Sequence, residues 1–255
     1  MGQIIAVANQ KGGVGKTTTV INLGASLAAA EKRVLLVDFD PQANCTSGLG
    51  VPVDGEGQRD VYAVLAGKAS AGEVIVQCGL PTLFLLPGSI ALAGAEVELA
   101  GMEDREYVLR EALRPLKESF DHILIDCPPS LGLLTVNALA AAERVLIPIQ
   151  AEFFAMEGVS QLLKTLERLR ESVNPALEVQ GVLVTMVDER TNLGRQVSSE
   201  VQRFFGGKVF QVAIPRNVKL AEAPSFGKPA LLYDIASRGA QSYLQMAQEF
   251  LTHDR

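Results

Sequence analysis

Histidine is scarce: His122 and His253 are the only two in 255 residues, one at the expected start of a strand and one near the end of the chain. That argues against a histidine-based metal centre or catalytic triad. The three cysteines, Cys45, Cys78 and Cys127, lack C-x-x-C spacing, which argues against a zinc site or a disulfide framework. They read as small buried apolar side chains. No uninterrupted apolar stretch reaches the about 18 residues that a membrane span needs, since Glu143 and Arg144 break the run from Leu131 to Ile149. The chain enters a strand at once, leaving no room for a signal peptide, so a cytoplasmic protein is expected. Positive charge is also short: 23 Lys and Arg against 29 Asp and Glu give −6, which argues against a wholly basic nucleic-acid surface but allows a local patch. Internal repeats and low-complexity tracts are absent as well.

With 48% hydrophobic and 20% charged residues, the chain can bury one large core, and a single domain over 1–255 is expected. Short β-type runs alternate with helical stretches: Ile4 to Ala8, Arg33 to Asp38, Leu83 to Leu86, His122 to Asp126, Arg144 to Ile149, Val179 to Val187 and Val209 to Ile214. This alternation predicts an α/β fold, a mostly parallel twisted sheet with helices on both faces. Gly48 to Gly72 reads as a loop followed by a short helix around Val61 to Leu65.

Between the first strand and a helix with Val20, Leu23, Leu27 and Ala30 at helical spacing lies Lys11-Gly12-Gly13-Val14-Gly15-Lys16-Thr17-Thr18. It matches most of the P-loop pattern G-x-x-x-x-G-K-[ST], with Gln10 where the first glycine stands and an extra lysine at Lys11. Glycines let backbone N–H groups crowd around phosphate oxygens, and the following helix adds its positive N-terminal end. Lys16 is then placed to bridge the β- and γ-phosphates of ATP, and the Thr17 hydroxyl to ligate Mg²⁺.

In parallel sheets ligands bind beyond the carboxyl ends of strands, and acidic residues lie just there. Asp126 ends the run Ile123-Leu124-Ile125, as a carboxylate reaching Mg²⁺ through water should. Asp38 and Asp40 follow Val34-Leu35-Leu36-Val37, and both compete for the role of orienting the attacking water. Asp40 lies further out along the extended segment and is the preferred catalytic group.

These motifs resemble those of the deviant Walker A ATPases, specifically the ParA/Soj family of chromosome- and plasmid-partitioning proteins. The likeness rests on the loop Lys11 to Thr18, on Asp38-Phe39-Asp40-Pro41-Gln42, and on Ile125-Asp126-Cys127-Pro128-Pro129-Ser130. Asp188 to Gly194 and Pro215 to Ser225 narrow it further, and the short stretch before Lys11 makes the likeness closest to the short Soj-type members. The resemblance implies a P-loop NTPase that hydrolyses ATP with Mg²⁺. It also implies an ATP-closed homodimer in which Lys11 reaches the partner's nucleotide, as a catalytic clamp on growing charge. Pro215 and Asn217 match positions that border the adenine ring. Arg190 and Lys219 match positions that contact double-stranded DNA without sequence preference, with Arg195, Arg216 and Lys228 as weaker additions. A ParB/Spo0J-type centromere-binding partner would stimulate hydrolysis, and the ATP-bound form would associate with the nucleoid.

Three other functions share the loop. A membrane-positioning protein resembling MinD needs a basic amphipathic C-terminal helix. Here Gln241 to Arg255 sets Tyr243, Leu244, Ala247 and Leu251 among glutamines with almost no lysine or arginine, which predicts a core-packing helix and no membrane partner. An electron-transfer ATPase resembling nitrogenase reductase needs cluster-ligating cysteines that are not apparent. Against amide-transfer relatives such as dethiobiotin synthetase-like enzymes stand the segments Asp188 to Gly194 and Pro215 to Ser225.

Overall fold

The computed structural model describes residues 2–52, 59–152, 155–188 and 192–253. Strands β1 (Gln3–Val7), β2 (Val34–Asp38), β3 (Val76–Gln77), β4 (Leu83–Leu86), β5 (His122–Asp126), β6 (Arg144–Gln150) and β7 (Glu178–Thr185) form one seven-stranded sheet. Its order is β3-β4-β2-β5-β1-β6-β7, and every pairing is parallel except that of β3 with β4. The apolar runs are buried on both faces, as parallel strands covered by helices must be. Alternation along each strand divides the core in two. Ile4, Ala6, Leu35, Val37, Ile123 and Ile125 face one helical layer, while Ile5, Val7, Leu36 and Leu124 face the other.

Helix α1 (Lys16–Ala29) follows the loop and lies close on β2. A Cβ at Gly24 would stand 2.5 Å from Leu36 Cδ2, so the leucine would have to shift to admit one. The helix stops one residue before the expected Ala30, because Glu31 turns into the left-handed region at φ 63°. Against α1 packs the C-terminal helix Arg238–His253. Its inward stripe is Tyr243, Met246, Ala247 and Phe250, whereas Leu244 and Leu251 are half-buried. The predicted core-packing role holds with a shifted face. Positions 243, 246, 247 and 250 keep the three- and four-residue spacing of one helical side.

Val209 to Ile214, expected as a strand, is not one. It runs beside β7 through isolated parallel bridges, with Phe210 and Ile214 amides donating to Val182 and Val184. The amides of Gln211 and Val212 donate instead to the Glu249 carboxylate, and Pro215 has no amide to extend the ladder. The helix expected around Val61 to Leu65 is present and is capped by the Asp60 side chain. No helix among the described residues is long and apolar enough to cross a membrane.

Candidate nucleotide-binding site

The residues predicted for the nucleotide site gather where β1, β2, β5 and β7 end. The sheet order puts β1 between β5 and β6, so the loop after β1 rises beside Asp126, the last residue of β5. Gly13 and Gly15 adopt φ 75° and 91°, which L side chains rarely reach, and Gly15 leads directly into α1. The amides of Gly15, Lys16, Thr17 and Thr18 find no acceptor among the described residues. A concave set of free N–H groups at a helix start is an anion site.

The loop is fastened from both sides. Buried Asn9 donates from Nδ2 to the Pro148 carbonyl at 2.7 Å and accepts the Lys11 amide on Oδ1 at 3.0 Å. The Thr185 hydroxyl, at the end of β7, donates to the Val14 carbonyl at 2.8 Å.

Lys16 is buried and its Nζ folds back over the loop to the Lys11 carbonyl at 3.4 Å. Burial lowers its pKa, opposed by the neighbouring carboxyls of Asp126 and Asp40. Asp126 is fully buried, and neither carboxylate oxygen has a hydrogen-bond partner by distance and angle. Burial pushes its pKa well up and neighbouring Asp38 adds to the shift, while the nearby Thr17 hydroxyl lowers it. An unpartnered buried carboxylate beside a threonine hydroxyl is a donor set that suits a hard divalent cation.

Asp38 and Asp40 separate cleanly. Asp38 is wholly buried, and its Oδ2 accepts the Thr46 amide at 2.7 Å and the Thr46 hydroxyl at 2.6 Å. That hydroxyl in turn accepts the Gly88 amide at 2.9 Å, so Asp38 ties β2 to the short helix Asn44–Gly48 and to the segment after β4. Burial raises the Asp38 pKa to about 6 against the Thr46 hydrogen bonds. Asp40 sits nearer the surface at 8% exposure, with one oxygen accepting the Gln42 amide at 2.9 Å.

Lys11 does not reach into solvent alone: its Nζ lies 2.9 Å from Glu152 Oε2, just past β6. Pro215 and Asn217 line a cavity of about 230 Å³ together with Thr185, Met186, Leu220 and Tyr243. Asn217 Oδ1 caps the helix Val218–Glu222 by accepting the Lys219 amide, which leaves its Nδ2 as the group able to donate into the cavity. Met186 holds φ 54°, an uncommon conformation for a non-glycine residue, and this turns the chain from β7 into the cavity wall.

Of the expected DNA contacts, Arg190 lies outside the described residues. Lys219 is half-buried, and its Nζ is 2.9 Å from Glu222 Oε2 and 5.5 Å from the Tyr233 ring centroid. The hydrogen bond that it donates to Glu222 leads the upward shift of its pKa. Sequence reasoning passed over Glu152, Glu222, Thr46 and Thr185. Glu152 and Thr185 act through contacts between segments far apart in the chain, Thr46 through a buried contact with Asp38, and Glu222 through an i,i+3 pair on a five-residue helix.

Comparison with known proteins fits this geometry. An AAA domain family model matches residues 2–179. The chain is 53% identical to the sporulation initiation inhibitor protein Soj of Bacillus subtilis, covering 98% of each. It is 52% identical to the chromosome partitioning protein ParA of Myxococcus xanthus, over 100% of this chain and 89% of that one. Among solved structures, one titled as cobyrinic acid a,c-diamide synthase from Mycobacterium smegmatis, with bound ATP analogue and magnesium, superposes with TM-score 0.87 at 40% identity. That match covers 99% of this chain and 96% of the other. The sheet and loop are those of a P-loop NTPase, and the chain belongs to the ParA/Soj family of chromosome-partitioning proteins.

Proposed function

We propose that this chain is a Mg²⁺-dependent ATPase that serves chromosome or plasmid partition. The observation that carries the reading is the juxtaposition of unsatisfied groups at the end of β1 and β5. Free amides from Gly15 to Thr18 call for anionic oxygen, and beside them the buried Asp126 carboxylate, with no partner, calls for a cation. Mg·ATP presents both. The Thr17 hydroxyl and the Asp126 carboxylate would hold Mg²⁺, which would supply charge neutralisation at the phosphate oxygens.

Lys16 neutralises the β- and γ-phosphates, and Gly12 to Thr18 cradle them through the backbone. Pro215 packs on the adenine face while Asn217 donates to its polar edge. Asp40 orients the attacking water and accepts its proton, a role for which Asp38 is poorly suited because Thr46 occupies it. Lys11 leaves Glu152 when two subunits close face to face and then stabilises charge on the partner's nucleotide. The closed dimer doubles a small basic patch, which includes Lys219 and Arg190, so that an acidic chain holds double-stranded DNA without sequence preference. Hydrolysis, stimulated by a ParB/Spo0J-type partner, releases the DNA, and the protein cycles between cytoplasm and nucleoid.

An amide-forming activity, suggested by the name of the mycobacterial structure, lacks support in the side chains. Drawing ammonia from glutamine takes an accessible thiolate. Cys45, Cys78 and Cys127 are buried, and burial raises the pKa of each, that of Cys78 to about 11. The test is DNA binding at matched salt with ATP, with ADP and without nucleotide. Binding only with ATP, falling steeply with salt, is expected; equal binding in all three states, or none with ATP, refutes the reading.

A further inference from the structure

The hydrogen bond from Thr185 to the phosphate loop joins two segments that the sheet keeps apart. Thr185 ends β7, while the loop follows β1, and β6 lies between them. The threonine is fixed on its own side: it is 2% exposed, it pairs with Gln150 of β6, and its carbonyl accepts the Ala151 amide at 3.1 Å. From this rigid position its hydroxyl donates to the Val14 carbonyl at 2.8 Å. Its methyl group borders Gly15 at ordinary contact distance, since a Cβ there would stand 3.8 Å from Thr185 Cγ2.

A peptide unit is planar and trans, so its carbonyl and its amide hydrogen point in opposite directions. Drawing the Val14 carbonyl toward β7 therefore turns the Gly15 N–H away from β7. Gly15 itself, at φ 91°, lacks the Cβ that would hold this peptide in place by sterics, and Gly13, on the other side of Val14, is also at positive φ. The orientation of the unit thus depends on what its oxygen bonds to.

We propose that Thr185 is a positioning residue for nucleotide binding: its hydroxyl aims the Gly15 amide at a phosphate oxygen by anchoring the carbonyl on the other end of the same peptide. The inference rests on the nucleotide-site reading above. It predicts that a residue which need not touch the phosphates controls how strongly they are held. It also explains why a hydroxyl-bearing side chain, rather than a further apolar one, ends a strand of buried valines and leucine (Val182, Leu183, Val184).

The experiment measures the affinity of the full chain for ADP carrying a fluorescent ribose label, together with its nucleotide-free melting temperature, for the unsubstituted chain, Thr185→Val, Thr185→Ser and Lys16→Ala. Thr185→Val keeps the shape and removes the donor, and the dissociation constant should rise roughly three- to tenfold. Thr185→Ser keeps the donor and should bind like the unsubstituted chain. Thr185→Val and Thr185→Ser both binding normally, or both losing affinity equally, overturns the proposal, because the hydroxyl would then be irrelevant or the side chain merely structural. Should Thr185→Val not fold, Thr185→Cys against Thr185→Ser makes the same comparison with side chains of similar size and unequal donor strength. Weaker binding by the cysteine variant is expected, and equal affinities overturn the idea. Failure of the unsubstituted chain to bind ADP, or undiminished binding by Lys16→Ala, removes the nucleotide-site reading and this inference with it. Loss in Lys16→Ala with normal binding in Thr185→Val removes the inference alone.

Discussion

Lys11 Nζ lies 2.9 Å from Glu152 Oε2, so within one subunit the extra loop lysine is held by a carboxylate of its own chain. Both side chains are about one-third to one-half exposed, at 34% and 46%, which makes the pair weak and easily exchanged for phosphate. Closing a dimer in which Lys11 crosses to the partner breaks two such pairs. Glu152→Gln removes the competing charge and should lower the dissociation constant of the ATP-bound dimer by roughly two- to tenfold. Sedimentation velocity with ATP over a range of protein concentrations reads this directly. Weaker association in Glu152→Gln would mean that the carboxylate belongs to the dimer contact itself.

Lys219 presents a parallel case on the proposed DNA face. Its ammonium is bonded to Glu222, which also accepts the Tyr233 hydroxyl at 3.1 Å. A DNA phosphate must displace that carboxylate. Glu222→Gln should therefore tighten ATP-dependent DNA binding, by about two- to fivefold at low salt, and Lys219→Ala should weaken it and flatten its salt dependence by about one counterion. Filter binding of one duplex at several salt concentrations separates the two. No change in slope for Lys219→Ala would take that residue out of the interface.

Much of this site was legible in the chain because its parts are local. A buried parallel strand is an apolar run, and β1, β2, β4 and β5 each announce themselves within four or five residues. The glycines of the loop and the acids at Asp38, Asp40 and Asp126 sit where those runs stop. What stayed hidden depends on meetings across the fold. The two-residue strand β3 exists only through its antiparallel pairing with β4. The segment Val209 to Ile214 has the composition of a strand, yet Glu249 takes two of its amides. Glu152 and Thr185 become meaningful once the sheet order brings β6 and β7 beside the loop from β1.

The division of labour between Asp38 and Asp40 gives opposite mutational signatures. Asp40→Ala should leave nucleotide affinity and melting temperature near normal while cutting turnover by about a hundredfold or more, the scale of a lost general base. ATP-bound dimer should then accumulate. Asp38→Ala instead strands the buried Thr46 hydroxyl and amide, and should cost about 2–3 kcal/mol of stability as hydrogen bonds to a charged group are lost. Measuring turnover and urea unfolding on both variants decides it. Normal turnover in Asp40→Ala would hand the catalytic role to another residue.

Tyr243 couples the C-terminal helix to the start of α1, since its buried hydroxyl lies 3.0 Å from Thr19 Oγ1. Tyr243→Phe leaves the Thr19 hydroxyl without this partner and should destabilise the chain by about 1 kcal/mol, lowering the melting temperature by about 2–4 °C. Thr19→Val in the same background should restore part of the loss, because both polar partners are then gone. Additive losses in the double variant would show that the two hydroxyls do not interact.

The buried acids also fix the sign of a pH effect. Burial lifts the Asp38 pKa from 3.8 to about 6, and Asp126 shifts upward for the same reason, reinforced by Asp38 beside it. The nucleotide-free folded state therefore holds protons that the unfolded chain gives up. Stability from this source is complete below the ordinary carboxylate pKa and is lost as pH rises through about 6. For Asp38 alone the loss is on the order of 2–3 kcal/mol across that window. Urea unfolding between about pH 4 and pH 7.5 should show a steeper decline in the unsubstituted chain than in Asp38→Asn, which has no proton to lose there. Mg·ADP should act the other way, since a cation beside Asp126 favours the ionised acid, so the stabilisation it confers should grow over the same range. A ligand effect independent of pH, with identical slopes for Asp38→Asn and the unsubstituted chain, would mean that these carboxyls stay charged in the folded protein and that Lys16 alone balances them.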